Sequence, residues 1–492
     1  MKVMLINPRV PVFLRVPSIP LGLISIGSYL RAHGDEVFFI DRMMEKVNIE
    51  QAIKDFNPQV VGISCHSYLS SLDAKNLTEI IHRISDALVV WGGHAPSTLA
   101  EVSLKDGKPD CISLGEGEIT IYELVRAVEN GTELSMIPGL AYLNESGECV
   151  YTAQRPVADM YTFPEMDWSF VQPEKYFTTF FHCNKMLYLH ASKGCPANCT
   201  FCANEVFHQR RHRCRDPKHV MHDLEYFVGK CGANGIYFSD EQFVPNRRVR
   251  EELLNMIIDS GLDFVWGCQI RLGVLNEKDL DLMYKAGCRW ILFGIESGDP
   301  QMIDAIKKNI DLSLAKPTVE HCEKLGMTVQ VSFIIGFPGE TCEQMQKSID
   351  MALSLNASLP QLNILIPAPG SEIYDDLVRN NPDFHAPRTI KEIAKLENKM
   401  MDIVSINVSE IPTIDLYVAH YYLQWRAFSS KNSVNSDSFG ILKKLAEDTF
   451  NRIFKHGLRG FLFGTFYSVR QFVLVFFFSH FFPRVLKKYH LK

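Results

Sequence analysis

The chain has 492 residues, beyond the size at which a single hydrophobic core stops growing, so two or three domains are expected. Its composition is globular, 46% hydrophobic and 22% charged, and a formal net charge of −6 leaves no basic excess for a nucleic-acid partner. Thirteen scattered cysteines, with an N-terminus (MKVMLINPRVPVF) that reads as a strand rather than a secretory leader, point to a reducing cytoplasm.

Over residues 1–135 the apolar segments KVMLINP, EVFFID, VVGISC, ALVVWGG and CISLGEG read as strands. Helical stretches separate them: PLGLISIGSYLRAHG, capped by Gly34, and segments near 72–86 and 118–129. This alternation predicts an α/β fold that opens with a doubly wound parallel sheet. Such sheets bind ligands at the carboxyl ends of their strands. The loops there are Asn7-Pro8-Arg9, Ser64-Cys65-His66, Gly92-Gly93-His94 and Gly115-Glu116-Gly117-Glu118. Their glycines suit close approach of a bulky ligand and equally suit plain turns.

Residues 136–185 read as a connector, with turns at Pro138-Gly139 and 144–147, a small hairpin and a crossing segment. From 186 to 380 a second series begins: KMLYLHASKG, GIYFSDEQF, DFVWGCQIR, RWILFGIESG, TVQVSFIIGFPGE and LPQLNILIPAPG. Helices are expected between them at 217–230, 247–260, 276–286, 300–309, 313–325 and 341–356. Six such units predict a partial (β/α)6 barrel of the TIM type, with its site at the C-terminal strand ends.

Residues 381–492 read as a C-terminal helical region, with helices at 388–405 and 412–430 and a polar loop at 429–438. From Gly460 to Pro483 the tail is almost wholly apolar, divided by Arg470 and Gln471. Its longest unbroken run, Phe472 to Phe478, falls short of the ~20 residues that span a bilayer. Arg459 before it, and Arg484, Lys487 and Lys488 after it, suit a helix lying on the inner membrane surface through 457–492. A helix packed on the barrel or on a dimer partner satisfies the same pattern.

The feature with most chemistry is KGCPANCTFC, directly after the first barrel strand. Cys195, Cys199 and Cys202 offer three thiolates to one compact metal centre and withhold a fourth. A 4Fe-4S electron carrier is closed by four cysteines, so three leave one iron open to bind and activate a small molecule. Buried structural thiols would have no reason to keep this spacing. Zinc is the metal rival, with His208 and His212 downstream as added ligands. Cys214, twelve residues on, is the nearby candidate for a fourth thiolate.

These residues resemble the radical S-adenosylmethionine (SAM) superfamily, in its members with an N-terminal cobalamin-binding domain. The resemblance covers roughly residues 1–375 and includes the Cys-x3-Cys-x-aromatic-Cys form, with Phe201 in the aromatic place. It implies a 4Fe-4S cluster on the three cysteines and SAM on the open iron, with Phe201 near the adenine. It places Asp240 or Glu241, in SDEQ rather than the frequent Gly-Gly-Glu, near the SAM amino group. Arg271 then faces a carboxylate, for which its fork is suited. Glu296 and Ser297 in GIESG correspond to the ribose side, and Gly336 and Pro338 in GFPGE to the adenine side, with Ser332 in place of a frequent first glycine.

In the first domain the resemblance assigns cobalamin contacts to Asn7, Pro8, Leu21 of PLGL, Ser64, His66 and Ser67. It adds Gly92, Gly93 and His94 from GGHAP, and Gly115, Glu116 and Glu118 from GEGE. An Asp-x-His-x-x-Gly motif is missing after the first strand, which fits cobalamin bound base-off without a His ligand. His66 and His94 stand where they would approach the lower face of the corrin, or act as ordinary loop histidines.

The implied activity is cleavage of SAM to a 5′-deoxyadenosyl radical, used for cobalamin-dependent methylation of an unreactive carbon. The substrate would be a natural product, lipid or tetrapyrrole-like small molecule, and the reductant a flavodoxin or ferredoxin. Radical cyclisation, ring contraction or another rearrangement is the alternative within the family. From a different class, a non-catalytic cluster- or cobalamin-binding sensor or electron-transfer protein would keep the cysteines but have little use for GIESG and GFPGE.

Overall fold

The computed structural model describes residues 1–10, 18–180, 182–382, 384–401 (backbone only for 396–401) and, between 407 and 423, all but 414, 418, 421 and 422. Its first sheet starts with β1 (Lys2–Asn7), whose four consecutive buried residues, Val3 to Ile6, mark a strand covered on both faces. β2 (Glu36–Asp41), β3 (Val60–Ser64), β4 (Leu88–Gly92) and β5 (Cys111–Ser113) run parallel to it in the order β2-β1-β3-β4-β5. The order reverses between β1 and β3, and a doubly wound sheet opens its ligand crevice at that point.

Helices Leu21–Ala32, Ser70–Ile84 and Glu118–Asn130 fill the expected segments. The helix Ile49–Phe56 lies outside them, although its ends are marked locally. The Asn48 side chain accepts from Gln51 N–H, and Asn57 closes the helix in the left-handed region at φ 50°. The hairpin expected in the connector is β6 (Leu140–Leu143) with β7 (Cys149–Tyr151). It pairs antiparallel with β5 and widens the first sheet to seven strands.

The second sheet opens with β8 (Thr178–Phe180) antiparallel to β9 (Cys183–Leu189). A short ladder of β10 (Ser192–Lys193) and β11 (Arg213–Cys214) then closes the loop 194–212, which carries all three cysteines. β12 (Gly235–Phe238), β13 (Val265–Arg271), β14 (Cys288–Glu296), β15 (Thr328–Ile335) and β16 (Leu359–Ile364) continue the series. β9 and β12 to β16 are all parallel and adjacent, the six strands of a partial barrel. Residues buried on alternate strand positions, such as Val329, Val331 and Phe333, pack with Leu253, Leu280, Val319 and Ile349 of the surrounding helices.

The helix Ile390–Met401 falls within the expected 388–405 and returns to the first domain. Ile390 and Ile393 join Leu77 and Ile81 in its core, and Ile390 N–H donates to Asp106 Oδ2 at 2.7 Å. The described residues between 413 and 423 are helical and place Leu416, Ala419 and Leu423 in the barrel core. The polar loop at 429–438 and the apolar tail at 457–492 lie outside the described residues. Among the described residues, no helix is long and apolar enough to cross a membrane.

Candidate active site

The cysteine loop is shaped before any ligand is considered. Gly194 has φ 85°, and a Cβ there would lie 2.2 Å from the Arg211 carbonyl oxygen, so a side chain does not fit. Its N–H donates to Glu241 Oε2 at 2.8 Å. In mid-loop, Thr200 N–H donates to Ile306 O at 3.1 Å and Thr200 O accepts from Ile373 N–H at 3.0 Å. Cys202 N–H turns back to Cys199 O at 3.1 Å. Cys195 and Cys199 are half-buried, Cys202 is exposed, and the Cys195 thiol donates to Gln242 Oε1 at 3.4 Å.

The chemistry of this loop fits a three-thiolate cluster. Both ring nitrogens of His208 meet carboxylates, Nδ1 with Glu116 Oε1 at 2.7 Å and Nε2 with Glu241 Oε1 at 3.1 Å. Burial lowers the His212 imidazole to about 4. Cys214 is buried on β11, and burial pushes its thiol up to about 12. Among the described residues no three Cys, His, Asp or Glu side chains converge on a single ion. An iron–sulfur cube asks less convergence, because each thiolate takes its own iron.

Around this loop the barrel ends bring together Phe201, Arg271, Glu296 and the GFPG turn. Glu296 sits at a register shift at the end of β14 with φ 70°, a strained conformation for a residue with a side chain. It is buried and accepts from Lys308 Nζ at 2.7 Å. Burial raises the Cys199 thiol, and Lys308 and Arg271 are the cations close enough to oppose that rise. Arg271 Nη2 donates to Asn309 O at 2.7 Å. Phe201 packs against Phe337 with ring centroids 5.7 Å apart. Gly336 N–H and Phe337 N–H both donate to Glu340 Oε2, at 2.5 and 3.0 Å, which sets the turn and leaves Pro338 exposed at its tip. Burial pushes the Glu340 carboxyl up to about 7.

Two of the residues singled out from the sequence are engaged elsewhere. Asp240 is buried and accepts from Ala191 N–H at 2.9 Å and Ser192 Oγ at 2.6 Å, tying β12 to the start of the cysteine loop. Burial raises its carboxyl to about 8 against those bonds. Ser297 is buried, its hydroxyl 3.2 Å from Ser348 Oγ on the helix Cys342–Ser354. Glu241 is therefore the SDEQ carboxylate at the loop, 38% exposed along its side chain. Burial would raise it, but His208 and the Gly194 amide outweigh burial and hold it at about 2.

Lys308 and Arg213 lie outside the motifs, and Lys193, the first residue of KGCPANCTFC, was given no role there. The signal for Lys308 is indirect, since a carboxylate at a buried barrel-strand end requires a cation.

On the first domain, Asn7 Nδ2 donates to Asp41 Oδ1 at 2.9 Å, with Pro8 buried beside it. Leu21 is buried at the start of its helix, Ser64 is half-buried and Ser67 is buried. Gly93 has φ 96°, and a Cβ there would lie 3.0 Å from the Cys65 carbonyl, so the β3 and β4 loops meet backbone to backbone beside Gly92. His66 is exposed. His94 stacks on Phe207 of the cysteine loop at 5.3 Å and 29°, and burial, with the charge of His66, lowers it to about 4.

Within the chain, the GEGE acids pair with the cysteine loop and its flanking strands. Glu116 accepts from Arg213 Nη1 at 2.6 Å and Nη2 at 2.7 Å as well as from His208. Burial would raise it, but these bonds hold it at about 2. Glu118 accepts from Ser25 Oγ at 2.7 Å and Lys193 Nζ at 2.8 Å. Gly115 lies beside the same loop, at the edge of a cavity of about 300 Å³ that Phe207 and Tyr151 also line.

Two family models match this architecture: the B12 binding domain over residues 14–125 and the Radical SAM superfamily over residues 189–352. The chain belongs to the radical SAM superfamily, in the group with an N-terminal B12-binding domain. It is a radical SAM enzyme, and its cofactors are a 4Fe-4S cluster, SAM and cobalamin.

An uncharacterized methyltransferase of Pyrococcus horikoshii is 30% identical over 396 residues, which cover 78% of this chain and 85% of that one. The anaerobic magnesium-protoporphyrin IX monomethyl ester cyclase of Rubrivivax gelatinosus is 27% identical, over 73% of this chain and 66% of its own. Among solved structures, the radical SAM methyltransferase TsrM from Kitasatospora setae, with tryptophan substrate and a SAM analog bound, shares the fold. Its TM-score is 0.66 at 20% identity, over 78% of this chain and 77% of that one.

Proposed function

We propose that this protein methylates an unreactive carbon of a small molecule of natural-product, lipid or tetrapyrrole-like character, in a cobalamin-dependent reaction. The observation that carries the reading is that the two ligand-facing ends meet. His94 stacks on Phe207, Glu116 pairs with His208 and Arg213, and Glu118 pairs with Lys193, so the corrinoid side of one sheet faces the cysteine loop of the other. When bound, the cluster and SAM supply radical hydrogen abstraction and the corrinoid supplies the methyl group.

The chain's own residues bind and orient. Cys195, Cys199 and Cys202 hold the cluster, and the bonds through Thr200 keep them in one geometry. Glu296, with its charge balanced by Lys308, offers acceptors to the ribose hydroxyls. Arg271 and Glu241 take the carboxylate and amino ends of SAM, and the backbone of the GFPG turn with Phe201 receives the adenine. Exposed Cys202 would lie on the side from which an outside reductant such as flavodoxin or ferredoxin approaches.

Anaerobically reconstituted, reduced protein should form 5′-deoxyadenosine and S-adenosylhomocysteine in step with a methylated product. Absence of either nucleoside with a turned-over substrate overturns methyl transfer. A second reading, radical cyclisation, is favoured by the likeness to the R. gelatinosus cyclase; it yields 5′-deoxyadenosine without S-adenosylhomocysteine.

A further inference from the structure

The concave face of the barrel sheet has a composition of its own. Along β12 to β16 one set of alternate residues, including Phe238, Cys268, Phe293, Val331 and Leu362, is fully buried against the helices. The other set, half-buried apart from buried Gly267 and Trp290, faces the concave side of the sheet. Strand register stacks this second set in layers. Arg271, Gly294, Ser332 and Gln361 lie side by side, with Gln269, Leu292 and Gln330 one layer below. Tyr237, Gly267 and Trp290 lie below those, with Tyr188 next to Tyr237.

The lowest layer is an aromatic floor. Tyr237 packs on Trp290 at 4.7 Å and on Tyr188 at 5.7 Å, and Phe180 meets Trp290 at 4.8 Å. Above it, β15 and β16 carry a chain of neutral groups. Gln330 Nε2 donates to Gln361 Oε1 at 2.5 Å, Gln361 Nε2 to Asn363 Oδ1 at 2.9 Å, and Asn363 Nδ2 to Ser332 Oγ at 3.1 Å. Each link uses one N–H of a carboxamide, and each carboxamide has two, together with a carbonyl that accepts twice. The charges near this wall have other partners in the SAM-loaded protein: Arg271 donates to a backbone carbonyl and, on the reading above, faces the SAM carboxylate, and Glu296 is matched by Lys308.

We infer that the barrel lumen recognises an uncharged substrate group, a carboxamide, ring carbonyl or hydroxyl, through the Gln330–Gln361–Asn363–Ser332 wall, with the substrate's apolar part on the aromatic floor. This rests on the reading of the chain as a radical SAM enzyme acting on a small molecule. A wholly apolar substrate would cover the remaining N–H and carbonyl groups of these amides without bonding them. With Arg271 turned to SAM, a phosphate or carboxylate would enter a half-buried wall with no other cation in its layers.

Three matched probes separate these classes: 2-phenylacetamide, phenylacetate and ethylbenzene, titrated into the cluster- and SAM-loaded full chain by saturation-transfer NMR. The amide should bind at least tenfold tighter than the other two. Gln361→Leu with Asn363→Leu should remove that preference, and Gln330→Glu, which keeps shape and adds charge, should weaken the amide and disfavour phenylacetate further. Equal binding of the three probes, no binding of the amide, or a preference unchanged in both variants overturns the inference. Formation of 5′-deoxyadenosine by the wild-type protein is measured separately. Its absence would sink the functional reading, whereas its presence with indifferent probe binding sinks only the amide wall.

Discussion

The cysteine loop of the barrel and the ligand side of the first sheet are both carboxyl ends of parallel strands, yet they are built in opposite ways. The first is one contiguous segment, 194–212, with its ends joined by the β10–β11 ladder and its middle held by backbone bonds to Ile306 and Ile373. The second is assembled from separate loops after β1, β3, β4 and β5, and its acids Glu116 and Glu118 are committed to the barrel. A contiguous site is self-shaping. A dispersed one depends on its neighbour for its geometry.

The sharpest test of that contrast is Cys199→Ala, which should abolish cluster absorbance and SAM cleavage together, while Cys214→Ala retains both. An intact cluster in the first variant would mean that the loop is not the closed unit described. Next in size, Glu116→Ala leaves Arg213 and His208 without their shared carboxylate, largely buried. It should cost about 3–5 kcal/mol of stability, read from denaturant midpoints at constant m. A loss below about 1 kcal/mol would mean that solvent screens the junction.

Lys308→Met should leave Glu296 unbalanced and weaken SAM binding about tenfold, or ~1.4 kcal/mol, by equilibrium dialysis. Unchanged affinity would remove the pair from the nucleotide site. The smallest effect concerns pH. Burial opposes charge on His208, but its bonds to Glu116 and Glu241 raise its pKa. A raised histidine contributes stability that is full below its unfolded value of about 6.5 and is lost as pH climbs through the folded value. The unfolding free energy, followed through thermal midpoints, should therefore fall from about pH 6.5 upward, by no more than about 1.4 kcal/mol per pH unit, and His208→Gln should flatten that slope.

The same contrast decides what could be read from the chain. The Cys spacing and the six strand–helix units are local patterns, so the barrel and the placing of its loop were legible. Glu241 could not be separated from Asp240 in advance, because both follow the same strand and only packing sends Asp240 to Ala191 and Ser192. Lys308 pairs with Glu296 across twelve residues and a strained turn, which no motif records. Glu116 and Glu118 were legible as loop acids, but their partners lie 75 to 97 residues away, and charge pairing at that range leaves no periodic trace.

Lys193 stands two residues before Cys195, and its ammonium is held by Glu118 of the other domain. A lesion at Glu118 would therefore reach the iron–sulfur loop through one side chain. In a genetic screen, a substitution at this position of the B12-binding domain would score as a defect in cluster assembly, and complementation by added corrinoid would not rescue it.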